Sequence, residues 1–194
     1  MPFPETSLAT IDTPAVLVDL DIARSNIARF QAYADAHGIA VRPHIKTHKL
    51  PAIAEMQLDA GAIGITCQKV SEAEAMIAGS DAIRDVLITY NILGGEKLEH
   101  LKALAKKVKL RVVAYNRTVV DGLSAAFAGE VAPLSVLVEC NTGANRCGVA
   151  TPEEADALAA VIDAAPGLVF GGLMTYPPAG GEAGVERFMG AAKD

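Results

Sequence analysis

The sequence has no tryptophan and few aromatics of any kind, 5% of its 194 residues. An aromatic-rich β-sandwich core is therefore excluded. The interior must be built from Ala, Val, Ile and Leu, a mix that suits an α/β protein. Cysteine is sparse: Cys67, Cys140 and Cys147 are odd in number and show no CxxC spacing. Neither a disulfide framework nor a structural zinc site is expected, and a reducing cytoplasm is the expected setting. No run approaches the ~18 apolar residues that a membrane helix requires. The opening MPFPETSLATIDTP has neither a basic n-region nor an apolar stretch, so no signal peptide is expected. There is no Lys/Arg-rich tract and the formal net charge is -6, which argues against nucleic acid as the main partner. The most basic stretch, Lys102 to Arg111, reads as the solvated end of a helix running into a strand.

What is present is an alternation of two periodicities. Apolar or β-branched runs occur at Ala15–Leu20, Ala40–Ile45, Ala62–Cys67, Asp85–Tyr90, Leu110–Tyr115, Leu134–Cys140 and Leu168–Tyr176. Between them lie segments with helical spacing and helical punctuation. One stripe, Ile22, Ala23, Ile27, Phe30 and Ala34, starts after Asp21 and stops at Gly38. Ser71 with Glu74 reads as a capping box, and Thr151-Pro152-Glu153-Glu154 as another with Pro at the first helical position. Strand–helix alternation predicts βα units around a parallel sheet. Leaving out the first run, about six units recur at intervals of roughly 20 to 35 residues, a barrel-like spacing that a doubly wound open sheet would share. A complete TIM-type (β/α)8 barrel needs eight strands and about 250 residues. The expectation is thus a partial barrel belonging to a longer protein, or an unusual minimal domain.

The segment Val41 to Lys49 breaks the rules of a core strand. If residues 41 to 46 are extended, Val41, Pro43 and Ile45 share one face and Arg42, His44 and Lys46 the other. Three basic groups on an interior face are costly unless something anionic meets them, and Pro43 cannot donate to a ladder. Lys46 would fall at the strand's C-terminal end, where barrel active sites are built. Crowded by Arg42 and His44, its amine would be disposed to form an imine; the plain alternative is a strand-end lysine reaching solvent. The pairs Gly94-Gly95 and Gly171-Gly172 read as a helix opening without phosphate-loop context and as close packing within a strand. Gly180-Gly181 follows the last visible strand.

Arg42-Pro43-His44-Ile45-Lys46-Thr47-His48-Lys49 resembles the lysine motif of the D-threonine aldolase and D-serine dehydratase family, fold-type-III pyridoxal-phosphate enzymes related to bacterial alanine racemase. The resemblance continues, in order, through Gly64 to Ala73, Val138 to Val149 and Gly172 to Tyr176. It implies an alanine racemase-like N-terminal barrel in which Lys46 carries pyridoxal 5'-phosphate as a Schiff base. Arg146 would hold the cofactor's phenolic oxygen as a phenolate, which suits a guanidinium that does not give up its proton. Gln68 and Tyr176 would complete the cofactor contacts, and His44 and Asn91 would line the pocket. His48 and Lys49 read as loop.

The resemblance further implies a residue 1–20 segment whose strand pairs with a C-terminal β-domain, followed by the barrel domain from residue 21. It implies a homodimer, a small D-amino acid substrate and a divalent metal ion, whose ligands are not expected within this chain. The implied reaction is aldol cleavage of a β-hydroxy-D-amino acid to glycine and an aldehyde. The alternatives are dehydratase-like β-elimination and, from another class, a non-catalytic protein of pyridoxal-phosphate homeostasis.

Overall fold

The computed structural model describes residues 10–192. The elements are α1 (Leu20–Ala36), a 3-10 turn (Ile45–Thr47), α2 (Pro51–Asp59), β1 (Ile65–Cys67), α3 (Val70–Gly79), β2 (Asp85–Ile88), α4 (Gly95–Ala105), β3 (Lys109–Ala114), α5 (Arg117–Phe127), β4 (Leu134–Cys140), α6 (Pro152–Ala164), β5 (Leu168–Thr175) and α7 (Glu182–Ala191). The strands form one sheet in the order β1-β2-β3-β4-β5, every neighbouring pair parallel. Spatial order that follows chain order, with no reversal, separates the arc of a barrel from a doubly wound sheet. The α/β fold with a partial TIM-type barrel is therefore the observed one.

Alternation along the strands divides the sheet into two faces. Ile65, Val86, Ile88, Val112, Val136 and Val138 are fully buried against Met76, Leu101, Leu104, Leu123, Phe127 and Ile162 of the covering helices. Each such side chain contributes about 1.5–3 kcal/mol through burial. The residues between them, among them Thr66, Leu87, Thr89 and Glu139, face the barrel interior and line its C-terminal mouth.

Strand β5 departs from strict alternation. Its lower half registers Val136 with Phe170, its upper half Val138 with Leu173, so Gly171-Gly172 forms a bulge. A Cβ on Gly171 would lie 2.3 Å from Ser135 Oγ, which bears out close packing there, and Gly172 takes a φ of +113° that favours glycine. Phe170 and Leu173, three residues apart, both pack on the helical core. Met174 and Tyr176 are thereby turned to the cavity side.

Three sequence expectations are corrected and a fourth is sharpened. The run Ala15–Leu20 forms no strand: Leu20 opens α1, and Asp19 caps it by accepting the N–H groups of Asp21 and Ile22, both at 3.0 Å. The first part of the proposed residue 1–20 segment, residues 1–9, lies outside the described residues. Second, the α1 stripe is present but only partly buried. Gly38 stops the helix at a φ of +65° as expected, and Ala34 is buried while Ile22 and Phe30 are 60% and 63% exposed.

Third, Ala40–Ile45 is extended without being a ladder strand. A single parallel bridge joins His44 to Thr66, with Ile63 donating to the Val41 carbonyl and Thr66 to that of Pro43. Pro43 has no N–H to return, and the chain tightens into the 3-10 turn at Ile45. Fourth, Ser71 and Glu74 make no capping box. Helix α3 begins at Val70 behind Lys69, which makes no side-chain cap, while Glu74 pairs with His100 across to α4. The Thr151 cap is present, its hydroxyl accepting from Glu154 N–H at 3.2 Å.

Candidate active site

At the C-terminal ends of the strands lies a cavity of about 620 Å3, well within the range of small-molecule sites. All six residues singled out in the sequence line it: His44, Lys46, Gln68, Asn91, Arg146 and Tyr176. They come from five separate segments of the chain, brought to one mouth by parallel strands that all end on the same side.

Lys46 sits in the 3-10 turn just beyond the extended run, and not at a strand end. Ile45, fully buried, anchors the turn. His44 caps it: its Nδ1 accepts the Lys46 backbone N–H at 3.3 Å, leaving Nε2 to donate to Thr89 Oγ1 at 3.5 Å. Burial, together with the neighbouring Lys46 charge, pushes the His44 imidazole below its ordinary value. It is held in the neutral form that capping requires.

Arg42, expected beside Lys46, is elsewhere. Its Nη1 donates to Asp85 Oδ1 at 2.7 Å at the opposite, N-terminal end of the sheet. The same oxygen accepts from Arg111 Nη1 at 2.7 Å, and Lys109 Nζ lies 3.9 Å from Oδ2. Arg42 and Lys46 are four residues apart, and an extended chain advances about 3.3 Å per residue, which is enough to divide them between floor and mouth.

Arg146 is placed by a loop that folds back on β4. Asn141 Oδ1 accepts from the N–H groups of Gly143 and Asn145 at 3.1 and 3.0 Å, and Val149 returns to bridge the end of the strand at Cys140. Gly148 makes the return possible: a Cβ there would lie 2.6 Å from the Asn141 nitrogen. The loop sets the Arg146 guanidinium over the Tyr176 ring, 4.8 Å from its centroid, and Lys46 Nζ is 5.9 Å from the same centroid. Two cations thus share one aromatic ring.

Several residues of the mouth were not singled out in the sequence. Glu139 is 5% exposed and accepts the Cys147 thiol at 2.9 Å. Burial and the bond to Glu139 push that thiol up to about 11, so it stays protonated and is a poor nucleophile. A charged residue inside the apolar run Leu134–Cys140 was the available signal. Thr66, Thr89 and Tyr115 follow from alternation once the inner face is known. Glu72, buried in the first turn of α3, accepts the Gln68 N–H at 2.7 Å and pairs with Lys49. Among the described residues no group of three or more His, Cys, Asp or Glu side chains could hold a metal ion, and no helix is long and apolar enough to cross a membrane.

Residues 18–192 match the alanine racemase N-terminal domain. The chain belongs to that family. It is 41% identical over 173 residues to D-threonine aldolase of an Arthrobacter species, covering 89% of this chain and 45% of that protein. It is 38% identical over 169 residues to 3-hydroxy-D-aspartate aldolase of Paracoccus denitrificans, covering 86% and 43%. The crystal structure of D-threonine aldolase from Filomicrobium marinum superposes with a TM-score of 0.86 at 38% identity, over 96% of this chain and 54% of that one. The chain spans about half the length of the relatives it matches.

Proposed function

We propose that this chain supplies the cofactor-binding barrel of a pyridoxal-phosphate-dependent lyase that cleaves β-hydroxy-D-amino acids to glycine and an aldehyde. One observation carries the reading: an amine and a guanidinium meet over a single aromatic ring at a barrel mouth. The donor set suits pyridoxal phosphate, with a primary amine for its aldehyde, a permanent cation for its phenolic oxygen and a flat ring face for its pyridine. The likeness to two D-amino acid aldolases selects the reaction.

When bound, the cofactor supplies an electron sink for the pair left as a bond to the α-carbon breaks. The chain's own residues do the rest. Lys46 provides the nucleophilic amine that anchors the cofactor and yields its place to the substrate amine. Arg146 holds a negative oxygen without surrendering a proton. Gln68 offers an amide contact that adds no charge, and Tyr176 its ring face. His44 keeps the Lys46 turn in place, and Asn91 is fixed by accepting the Tyr115 N–H at 3.4 Å. Leu87, Leu93, Val119 and Met174 give the cavity apolar walls. The divalent metal implied by the resemblance has no ligand cluster among the described residues, so no step is assigned to it. The same reading includes a homodimer and a cytoplasmic setting; the three cysteines are all free thiols, which supports the latter.

Borohydride reduction after loading with pyridoxal phosphate, followed by peptide mass mapping, tests the site. A pyridoxyl label on Lys46 is expected, and Lys46→Ala abolishes it while lowering turnover roughly 10³-fold or more. Incubation with D-threonine then tests the reaction. Glycine with acetaldehyde supports it, whereas a 2-oxo acid with ammonia assigns β-elimination. A labelled protein that turns over no β-hydroxy-D-amino acid points to cofactor carriage.

A further inference from the structure

Lys46 and Gln68 lie in different segments, and one buried carboxylate ties the two together. Glu72 commits both oxygens: Oε1 pairs with Lys49 Nζ, and Oε2 accepts the Gln68 backbone N–H at 2.7 Å. Its side chain is 4% exposed while that of Lys49 is 59% exposed. A buried ionised acid is costly unless paired. Burial pushes the Glu72 carboxyl up, but the Lys49 ammonium and the Gln68 N–H together outweigh it and hold it below its ordinary value.

The partner residue is itself unusual. Lys49 takes a φ of +54°, a conformation that costs a non-glycine residue free energy and persists only where the surroundings enforce it. It lies three residues beyond Lys46, at the close of the 3-10 turn, where its N–H donates to the Ile45 carbonyl at 2.8 Å. His44 holds the opposite end of that turn. The turn carrying Lys46 is thus pinned on one side by His44, in the middle by buried Ile45, and on the far side by Glu72 through Lys49.

We propose that Glu72 is a positioning residue that fixes the spacing of Lys46 and Gln68 through its paired contacts to Lys49 and the Gln68 backbone. The inference rests on the reading of Lys46 and Gln68 as cofactor contacts. The competing role is local: a carboxylate in the first turn of a helix also satisfies that turn and its dipole, wherever the helix lies. Such a role would affect stability and leave the cofactor's environment unchanged.

The test uses the intact protein loaded with pyridoxal phosphate, as wild type, E72Q, K49M and the double variant, with K49R as the conservative control. Three quantities are read: the dissociation constant of the cofactor, the pH midpoint of its bound absorbance, and the melting temperature. Each single variant weakens cofactor binding roughly tenfold. The double variant is no weaker than the worse single one, because both break the same linkage. E72Q moves the absorbance midpoint to lower pH, since removing an anion disfavours the nearby cationic adduct, and K49R restores near wild-type binding.

K49M changes a mostly exposed side chain, so it probes the linkage without emptying a core site. Wild-type dissociation constants and midpoints in both single variants, with only the melting temperature lowered, would overturn the inference and leave the parent reading intact. Fully additive losses in the double variant would overturn it as well. A wild-type protein that takes no label on Lys46 refutes the parent reading, and this inference with it.

Discussion

The two ends of the sheet solve one electrostatic problem in opposite ways. At the floor, Arg42, Arg111 and Lys109 gather on the single carboxylate of Asp85, with the two guanidinium contacts at 2.7 Å. At the mouth, Lys46 and Arg146 gather on the neutral ring of Tyr176, at 5.9 and 4.8 Å from its centroid. The cations have an anionic partner at the floor and are kept available at the mouth. A cluster that satisfies its own cations is a structural device, whereas one that leaves them facing a cavity invites an electron-rich ligand. The same residue types therefore read as scaffold at one end, where the Asp85 carboxylate holds them, and as binding site at the other.

Removing that carboxylate should have the largest effect on stability and little on the site. Asp85→Asn leaves two largely buried guanidiniums facing a neutral amide, a loss of about 3 kcal/mol readable as a lowered urea midpoint. Cofactor affinity should be unchanged, and a parallel loss of affinity would erase the division between floor and mouth. Tyr176→Leu should do the reverse. It takes away the ring that two cations share, worth about 1–2 kcal/mol, and should weaken pyridoxal phosphate binding with little change in unfolding. Tyr176→Phe keeps the ring and should stay near wild type in a cofactor titration.

The smallest expected effect is a pH dependence of stability. His44 and His48 are held below the ordinary value of 6.5, in both cases chiefly by burial. The unfolded chain then takes up protons before the folded one, so stability is full above pH 6.5 and declines as pH falls below it. Glu72, held below its ordinary 4.5, acts in the same direction further down: its contribution is present above 4.5 and lost as pH falls through the folded value. His100, raised by its hydrogen bond to Glu74, has the opposite sign, but it lies on the solvated surface between α3 and α4. Urea midpoints measured from pH 7.5 to 5.5 should therefore fall with pH, and His44→Gln should flatten part of the decline.

Much of this was legible in the sequence, for reasons that also explain what was not. The apolar runs located β2 through β5 to within a residue or two at their starts, because a parallel strand covered on one face by helices must be β-branched and continuous. Lys46, Gln68, Arg146 and Tyr176 could be named because each falls in a segment that resembles a family motif, and parallel topology collects those segments at one mouth. The phase of Arg42 is legible in the sequence, and its company is not. Alternation gives the face of a strand but not the depth, and only Asp85, 43 residues away, settles which end the guanidinium joins.

Ser71 and Glu74 make a local capping pattern that is visible in sequence, whereas the pull of Lys49 on Glu72 across 23 residues is not. The apolar stripe of α1 is legible as a stripe, but periodicity does not say what lies against it.

The bulge at Gly171-Gly172 has one more consequence. Below it, partners on β4 and β5 are offset by 34 positions, as in Leu134 with Leu168; above it the offset is 35, as in Cys140 with Thr175. Tyr176 thus faces the cavity by a matter of counting, and parity decides it more than any contact the ring makes. A Gly172→Ala change that ironed the bulge flat would carry the lower offset through the strand, turning the ring toward the helices and an adjacent position toward the cavity. Every residue of the site would still be present in the sequence, and the site would be gone.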